Sequence, residues 1–380
     1  HLGGNPLEKE NKEVFLKYNS AVIIPALNPP PKLLALVQDL LEQGFPHIIV
    51  VNDGSSGSFE RIFQEIEAMD RCTVLHHETN RGKGRALKTA FSYVLENFPS
   101  LDGVITADAD GQHSVDDICR ISELLSQRQD SLILGERNFR SENVPRRSWL
   151  GNTLTSRVFQ FLYGVYLHDT QTGLRGIPLH ALDWMIEMVG ERYDFELNML
   201  IKLRNHNLGI LTMPIKTIYY DNNAHSHFKT FRDTLPIVLR LVSGALKYSG
   251  SLLLSGIIDI IAFFVLNTIV LAAYPAATRL FASTALARLL SSICNFNVNR
   301  RLIFEAKDNI LSSALRYYTV CVIQMLLSYG LVFAISLSWK VNESVIKLFV
   351  DFVLGTISYK LQLHWVFRND HETIVNSINV

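Results

Sequence analysis

Cysteine is scarce in this chain of 380 residues, which contains only four. They are far apart, and no two of them form a Cys-x-x-Cys pair. The four are Cys72, Cys119, Cys294 and Cys321. This spacing argues against a disulfide framework and indicates no zinc site. We therefore expect free, reduced thiols, as in cytoplasmic proteins.

A net charge is also lacking, because 36 Lys and Arg are matched by 36 Asp and Glu. No basic excess points to nucleic acid, so no nucleic-acid partner is predicted. The balance hides two unlike parts. Residues 1–228 carry 22 basic against 28 acidic side chains, whereas residues 229–380 carry 14 against 8 and are also the more apolar part. The chain begins at His1, and no signal peptide is recognised. The first four residues, HLGG, are not expected to belong to the fold.

Long apolar runs are confined to the C-terminal part. Four of them, at 249–274, 276–298, 315–339 and 345–365, each reach the roughly 20 residues that a bilayer crossing needs. The charged residues that interrupt these runs must face protein or water at membrane depth. They are Asp259, Arg288 and Asp351. We expect a four-helix all-α transmembrane domain over residues 249–380; the alternative is four buried helices of a large soluble core.

Basic residues beside these runs indicate the orientation in the membrane. Lys and Arg concentrate in cytoplasmic loops, so both termini and the loop between the second and third runs are predicted to be cytoplasmic. These residues are Lys229, Arg232, Arg240, Lys247, Arg300, Arg301, Lys307, Arg316 and Arg368. Residues 229–248 carry apolar side chains at helical spacing among the basic ones. They are expected to form an interfacial helix or, alternatively, a plain linker helix.

The membrane part also contains a loose repeat. Residues 295–304 (NFNVNRRLIF) recur 63 positions later at 358–367 (SYKLQLHWVF), sharing an aromatic second position and a closing aliphatic-Phe pair. This period predicts two hairpins of the same orientation. Convergent polar ends of two membrane helices would explain part of the likeness.

Predicted strands and helices alternate in residues 1–228. Strands at 21–25, 47–51, 72–75 and 103–105 alternate with helices at 32–43, 59–69 and 84–97. Such alternation predicts a mostly parallel, doubly wound, Rossmann-like sheet. Ligands of such sheets bind beyond the carboxyl ends of the strands, which is where Asp53, Lys83, Asp108 and Asp110 lie.

An acidic motif, TADADGQH at 106–113, follows the fourth of these strands. Residues i and i+2 of a strand or tight turn point the same way, so Asp108, Asp110 and the Gln112 amide can converge on one hard cation. Mg²⁺ or Mn²⁺ bridging a diphosphate is the expected occupant. The alternative is a solvated acidic turn.

Five motifs in this order resemble the family-2 glycosyltransferases of the GT-A fold. They are VIIPALN at 22–28, VVNDGS at 50–55, NRGKG at 80–84, DADGQH at 108–113 and DTQTGLR at 169–175. Within that family the chain is most similar to polyprenyl-phosphate sugar transferases such as dolichyl-phosphate mannose synthase and the undecaprenyl-phosphate glycosyltransferases of bacteria. The four-helix tail resembles the GtrA-type membrane domain. The resemblance thus implies an α/β GT-A catalytic domain followed by a transmembrane domain.

The resemblance implies roles for the residues on the donor side. Nucleotide-sugar contacts would come from Pro25, Ala26, Asn28, Asp53, Lys83 and Asp108. The metal ligands would be Asp108, Asp110 and Gln112. The family often has an acidic residue after the Asn, where this chain has prolines at 29–31, so a UDP-linked and a GDP-linked donor both remain open.

The acceptor side calls for positive groups, because a lipid phosphate is already anionic at neutral pH. The candidates are Arg137, Arg147, Ser226, His227, Lys229 and Arg232. The family commonly shows Ser-Lys where this chain has Ser226-His227. Asp169 is expected near the transferred sugar, or alternatively as a loop cap, and Glu196 is a further weak candidate. For any single cation the alternative is a solvated surface charge.

These features together predict an inverting, metal-dependent transferase with catalytic residues Asp108, Asp110, Asp169, Arg137 and Arg147. It would move a sugar from a nucleotide donor to a polyprenyl phosphate at the cytoplasmic face of a prokaryotic plasma membrane. The predicted parts are a GT-A domain at 1–228, an interfacial helix or linker at 229–248 and a transmembrane domain at 249–380. A homo-oligomer is one option for the assembly. The rivals are a processive polysaccharide synthase, whose Gln-x-x-Arg-Trp element is absent, and a non-catalytic lipid-sugar flippase or scaffold.

Overall fold

The computed structural model describes residues 16–137, 146–216, 230–306, 308–338, 343–367 and 375–377. The strands of its sheet are β1 (Ser20–Ala26), β2 (His47–Asp53), β3 (Cys72–His77), β4 (Gly103–Thr106), β5 (Ser131–Arg137), β6 (Arg175–Pro178), β7 (Gly209–Ile215) and β8 (Val375–Ser377). The helices between them are α1 (Lys32–Glu42), α2 (Glu60–Glu67), α3 (Lys83–Asn97), α4 (Val115–Gln127), α5 (Arg146–Tyr163), α6 (Leu182–Glu187) and α7 (Asp194–Lys202).

All eight strands form one sheet in the order β3-β2-β1-β4-β6-β5-β7-β8. Each paired strand runs parallel to its neighbour except β6, which is antiparallel to both β4 and β5. The mostly parallel sheet predicted from the sequence is confirmed. The reversed β6 was not predicted, and it pairs Arg175 with Thr106, so the loop before β6 meets the loop after β4.

Both faces of the sheet are covered by helices. Ile23 and Ile49 pack in a core with α3, whereas their neighbours Val22 and Ile48 pack in a second core with α1. Successive side chains of a strand point to opposite faces, and here each face is buried. This is why β1 and β2 read as continuous apolar runs in the sequence.

Four long helices follow the sheet. They are α8 (Thr230–Val265), α9 (Ala276–Val298), α10 (Ile310–Ser338) and α11 (Glu343–Leu361). The first two pack together as a hairpin, as do the last two. The helix α8 runs without a break through the predicted interfacial segment and into the first predicted span.

Among the described residues, two stretches are long and apolar enough to cross a membrane, Leu241–Val270 and Ile310–Ile335. The sequence predicted four. The helix α9 is less apolar because it carries two arginines and a stripe of small and polar residues that is buried in the bundle. This stripe is Ser283, Ala287, Ser291 and Asn295. Small residues at such spacing allow close packing of membrane helices.

The two copies of the repeat adopt matching structures. Each of α9 and α11 continues into a single π turn, Asn299–Ile303 in the first copy and Gln362–Val366 in the second. Asn299 Nδ2 donates to Gln362 Oε1 at 2.9 Å, and these two residues hold the same position in the repeat. The closing Phe304 and Phe367 stack with ring centroids 5.1 Å apart.

The repeat also carries contacts to the sheet domain. Glu305, directly after the first copy, pairs with Lys202 at the end of α7, with Nζ to Oε1 at 2.6 Å. In the second copy the Lys360 ammonium lies 3.7 Å from the ring centroid of Phe161 in α5. The sheet domain therefore contacts the second copy and the residue that follows the first.

Candidate active site

The acidic motif lies where the sequence predicted it, directly after β4. Its first carboxylate meets two residues that are distant in the chain. Lys83 Nζ lies 2.6 Å from Asp108 Oδ1 and 2.8 Å from Glu196 Oε1. Lys83 is the first residue of α3, and Glu196 lies in the first turn of α7. Three elements thus bring one cation and two carboxylates together.

The charges in this cluster stabilise one another. Burial alone would favour the neutral form of Asp108, but the charge of Lys83 and a hydrogen bond from His113 hold its pKa well below the usual value. Burial also disfavours the charged form of Lys83, but Asp108 and Glu196 outweigh it and raise the lysine pKa. Carboxylate and ammonium are therefore both ionised at neutral pH.

Asp108 and Asp110 fit a hard divalent cation. Burial raises the pKa of Asp110 and the charge of Asp108 raises it further, so the two carboxylates are close enough to repel. A cation shared by them would relieve this repulsion. The described residues contain no cluster of three His, Cys, Asp or Glu placed for a metal. With two protein carboxylates as ligands, the remaining coordination positions of the cation would be filled by phosphate oxygens and water, as is usual for Mg²⁺.

Gly173, in the loop before β6, lies against the same carboxylate. A Cβ atom at this position would overlap both carboxylate oxygens of Asp108. The loop is held in place by Thr106, whose Oγ1 donates to the Gly173 carbonyl at 2.7 Å. Glycine lets the bare backbone approach Asp108 this closely, whereas a side chain here would force the carboxylate or the loop to shift.

The predicted nucleoside residues form two linked turns. The first follows Pro25 and Ala26 of β1 and contains Asn28, which has a left-handed φ of 48°. The Asn28 amide donates to Ser55 Oγ at 2.8 Å, and the Ser56 amide donates to Asn28 Oδ1 at 2.9 Å. The ends of β1 and β2 are therefore fixed to each other.

Asp53 is the last residue of β2 and contacts the protein through both carboxylate oxygens. Its carboxylate is buried and has internal partners on both oxygens: the Arg81 amide donates to Oδ1 at 2.9 Å, and the Gly82 amide donates to Oδ2 at 2.8 Å. His77 Nδ1 lies 2.7 Å from Oδ1. Asp53 therefore fixes the turn that leads into Lys83. A contact with a base or ribose stays a prediction.

Arg137 and Asp169 were predicted for separate roles, but they form one ion pair. Arg137 Nε donates to Asp169 Oδ2 at 2.5 Å, and Nη2 donates to Oδ1 at 3.1 Å. Asp169 is completely buried and also accepts from the Gln171 amide at 3.0 Å. This geometry matches the loop-capping alternative for Asp169, since its oxygens face the protein.

Comparison with known proteins identifies both parts of the chain. Residues 21–177 match glycosyl transferase family 2, and residues 247–367 match the GtrA/DPMS transmembrane domain. A UDP-N-acetylglucosamine–dolichyl-phosphate N-acetylglucosaminyltransferase of Methanococcus voltae is 30% identical over 215 residues, which are 52% of this chain and 85% of that protein. The chain belongs to glycosyl transferase family 2.

Two further relatives show similar identity. A dolichyl-phosphate hexose transferase of Haloferax volcanii is 26% identical over 52% of this chain and 82% of its own length. An undecaprenyl-phosphate 4-deoxy-4-formamido-L-arabinose transferase of Aeromonas hydrophila is 27% identical over 44% of this chain and 51% of its own length. The predicted family, with its GT-A sheet and GtrA-type membrane domain, is confirmed. The membrane-domain match covers α9 and α11 as well as the two more apolar helices.

In this family-2 glycosyltransferase the predicted acceptor residues are only partly described. Ser226, His227 and Lys229 lie outside the described residues. Arg147 lies in the first turn of α5 and Arg232 in the first turn of α8, and these two helices pack against each other. Their roles stay predictions, as does that of Gln112 as a metal ligand.

The sequence predicted no role for two buried residues of the family-2 domain, His113 and Arg175. His113 Nε2 lies 3.3 Å from Asp108 Oδ2. Arg175 donates from Nε to the Thr172 carbonyl at 3.0 Å and from Nη1 to the Glu196 carbonyl at 2.6 Å. The signal for His113 was its place in the acidic motif. The contacts of Arg175 and the position of Glu196 beside Lys83 depend on the strand order, which could not be predicted from the sequence.

Proposed function

We propose that the protein is a membrane-bound glycosyltransferase that moves a sugar from a UDP- or GDP-linked donor to a polyprenyl phosphate. The observation that carries this proposal is the pair of carboxylates Asp108 and Asp110, with Lys83 2.6 Å from the first, directly after β4 in a family-2 domain joined to a membrane domain. The names of the three relatives support a dolichyl or undecaprenyl phosphate as acceptor. In this proposal the catalytic domain spans residues 1–228 and faces the cytoplasm of a prokaryotic cell. An interfacial helix at 229–248 joins it to the membrane domain at 249–380.

The proposed reaction needs no general base. The lipid phosphate oxygen is anionic and attacks the anomeric carbon on the face opposite the donor diphosphate. The new carbon–oxygen bond forms as the bond to the diphosphate breaks, and the nucleoside diphosphate leaves with the bonding electrons. The anomeric centre is thereby inverted.

The residues of the chain have distinct tasks in this reaction. Asp108 and Asp110 would hold a divalent cation, which offsets the charge that develops on the leaving diphosphate. Lys83, which lies beside this carboxylate, would add a second positive charge at the diphosphate. The ion pair between Arg137 and Asp169 fixes the loop that ends at Gly173, beside the Asp108 carboxylate.

Metal dependence is tested by Asp110→Asn. This change removes a charge from the cation site but keeps the shape of the side chain, so turnover should fall by about two orders of magnitude or more with the fold intact. The assay is transfer from radiolabelled UDP- and GDP-sugars to dolichyl and undecaprenyl phosphate. Asp116→Asn, on the exposed first turn of α4, is the matched control. Full activity of Asp110→Asn, or of the wild type in EDTA, would contradict the metal assignment.

The acceptor role of the basic cluster is tested by Lys229→Ala and Arg232→Ala. Each should weaken use of the lipid phosphate by about tenfold or more, equivalent to roughly 1.4 kcal/mol, while donor binding barely changes. Initial rates against polyprenyl phosphate and calorimetric titration with the nucleotide sugar separate the two effects. Lys247→Ala, further along α8 and exposed, is the control. Loss of donor affinity would instead assign the cluster to the diphosphate site and favour Arg137 with Arg147 for the acceptor.

A further inference from the structure

The carboxylate predicted to bind the metal already has a nitrogen atom of the protein beside each of its oxygens. Lys83 Nζ lies 2.6 Å from Asp108 Oδ1, and His113 Nε2 lies 3.3 Å from Asp108 Oδ2. A metal ion that takes Oδ1 as a ligand must share this oxygen with the ammonium, so two positive charges would meet at one atom.

Repulsion between the two cations makes this sharing unfavourable. The ammonium is a fixed positive charge in a cluster that is largely shielded from water, since the Lys83 side chain is only 15% exposed. Charges interact more strongly in such surroundings than at an open surface. A divalent cation entering beside Asp108 is therefore opposed by Lys83 even though Asp108 and Asp110 attract it.

Glu196 gives the lysine a second anchor. Its Oε1 lies 2.8 Å from Lys83 Nζ, its side chain is 6% exposed, and its backbone is fixed by Arg175. The ammonium can give up Asp108 and still keep a buried carboxylate as partner. Lys83 is thus built to change partners within the cluster without crossing into bulk solvent.

We propose that Lys83 is a displaceable internal cation that competes with the divalent metal for Asp108, so that metal alone binds weakly and the nucleotide diphosphate is needed to release the lysine. The inference rests on the proposed function, because the diphosphate is its substrate group. Lys83, still held by Glu196, then becomes a counter-charge of the diphosphate. Metal and nucleotide sugar consequently bind as a coupled pair.

The test is a binding measurement that does not depend on turnover. Free Mn²⁺ is followed by electron paramagnetic resonance during titration of the purified full chain, alone and with UDP or GDP. In the wild type, nucleotide should tighten Mn²⁺ binding by about tenfold or more, within the usual 5–150-fold range of coupling. In Lys83→Gln, Mn²⁺ alone should bind about tenfold more tightly, and the coupling to nucleotide should shrink by about the same factor.

Two further variants control the experiment. Lys88→Gln removes another buried lysine of α3, which contacts the Met188 carbonyl and Glu191 instead of Asp108, and should leave Mn²⁺ binding unchanged. Lys83→Arg keeps the charge and should bind Mn²⁺ alone as weakly as the wild type, which tests the proposal even if Lys83→Gln does not fold.

The outcomes separate this inference from the proposed function. Unchanged or weaker Mn²⁺ binding in Lys83→Gln, in a protein whose transfer activity is abolished by EDTA, overturns the competition but leaves the metal-dependent transferase standing. Tighter binding in Lys83→Arg also overturns it. A wild type that binds no Mn²⁺ with either nucleotide overturns the metal site and the inference together.

Discussion

At the scale of single residues, the site depends on one crowded carboxylate. Asp108 is contacted by Lys83 from α3, by His113 from its own motif and by the backbone at Gly173. Because these neighbours restrict its movement, the carboxylate is positioned before any ligand arrives. Catalysis is sensitive to such positioning, since an error of about 1 Å can cost roughly a hundredfold in rate.

Gly173→Ala tests this crowding directly. The added methyl group must push Asp108 or the loop aside, so transfer activity should fall by roughly a hundredfold while circular dichroism remains that of a folded protein. Gly57→Ala is the control, because a Cβ atom at Gly57 meets nothing within 4 Å. Equal activity of the two variants would show that the close approach has no role in positioning Asp108.

At the scale of elements, the repeat in the membrane domain is held together by a buried polar network. Asn299 Nδ2 donates to Gln362 Oε1, Ser251 Oγ donates to Asn299 Oδ1 at 2.6 Å, and Gln362 Nε2 donates to the Tyr248 hydroxyl at 3.0 Å. The π turns of both copies begin at this network. Because the copies also contact α5 and α7, the network fixes the surface on which the sheet domain rests.

Asn299→Leu should destabilise the membrane domain. It leaves Gln362 Oε1 without its donor and removes the acceptor that lies 2.6 Å from Ser251 Oγ. An unsatisfied buried polar atom costs about 1–3 kcal/mol, and somewhat less in membrane proteins. Thermal unfolding in detergent should therefore begin several degrees lower than in Asn297→Leu, an exposed site two residues earlier in the same helix. If both variants unfold at the wild-type temperature, the network does not hold the two copies together.

At the scale of the whole molecule, charge asymmetry and apolar helices predict an arrangement in the membrane. The basic residues between the second and third helices and beside the outer helices predict cytoplasmic loops there. The sheet domain would then face nucleotide sugars on the cytoplasmic side. Its contacts with the repeat, through Lys202 with Glu305 and Lys360 with Phe161, would hold it at that surface.

Single-cysteine labelling in intact cells checks this orientation, after the four native cysteines are replaced. A membrane-impermeant probe should modify Asn342→Cys, in the loop predicted to lie outside, and should spare Lys307→Cys, in the predicted cytoplasmic loop. Labelling of both positions after cell lysis is the control for access. The reverse pattern would place the catalytic domain outside and remove its source of nucleotide sugar.

The sequence by itself determined the features that depend only on residues close together in the chain. Strand and helix periodicity gave the mostly parallel sheet, apolar length gave the membrane helices, and the two-residue spacing of Asp108 and Asp110 gave paired carboxylates after β4. Each of these patterns is local, because side-chain direction repeats every 2 residues in a strand and every 3.6 in a helix.

Only the tertiary structure decided which distant residues meet. The reversal of β6 brings Gly173 to Asp108, and the ends of α3 and α7 place Lys83 between Asp108 and Glu196. The same folding turned Asp53 inward and joined Arg137 to Asp169. No local period encodes these pairs, since they depend on the order and direction of strands, and these are set by how the two buried faces of the sheet are covered.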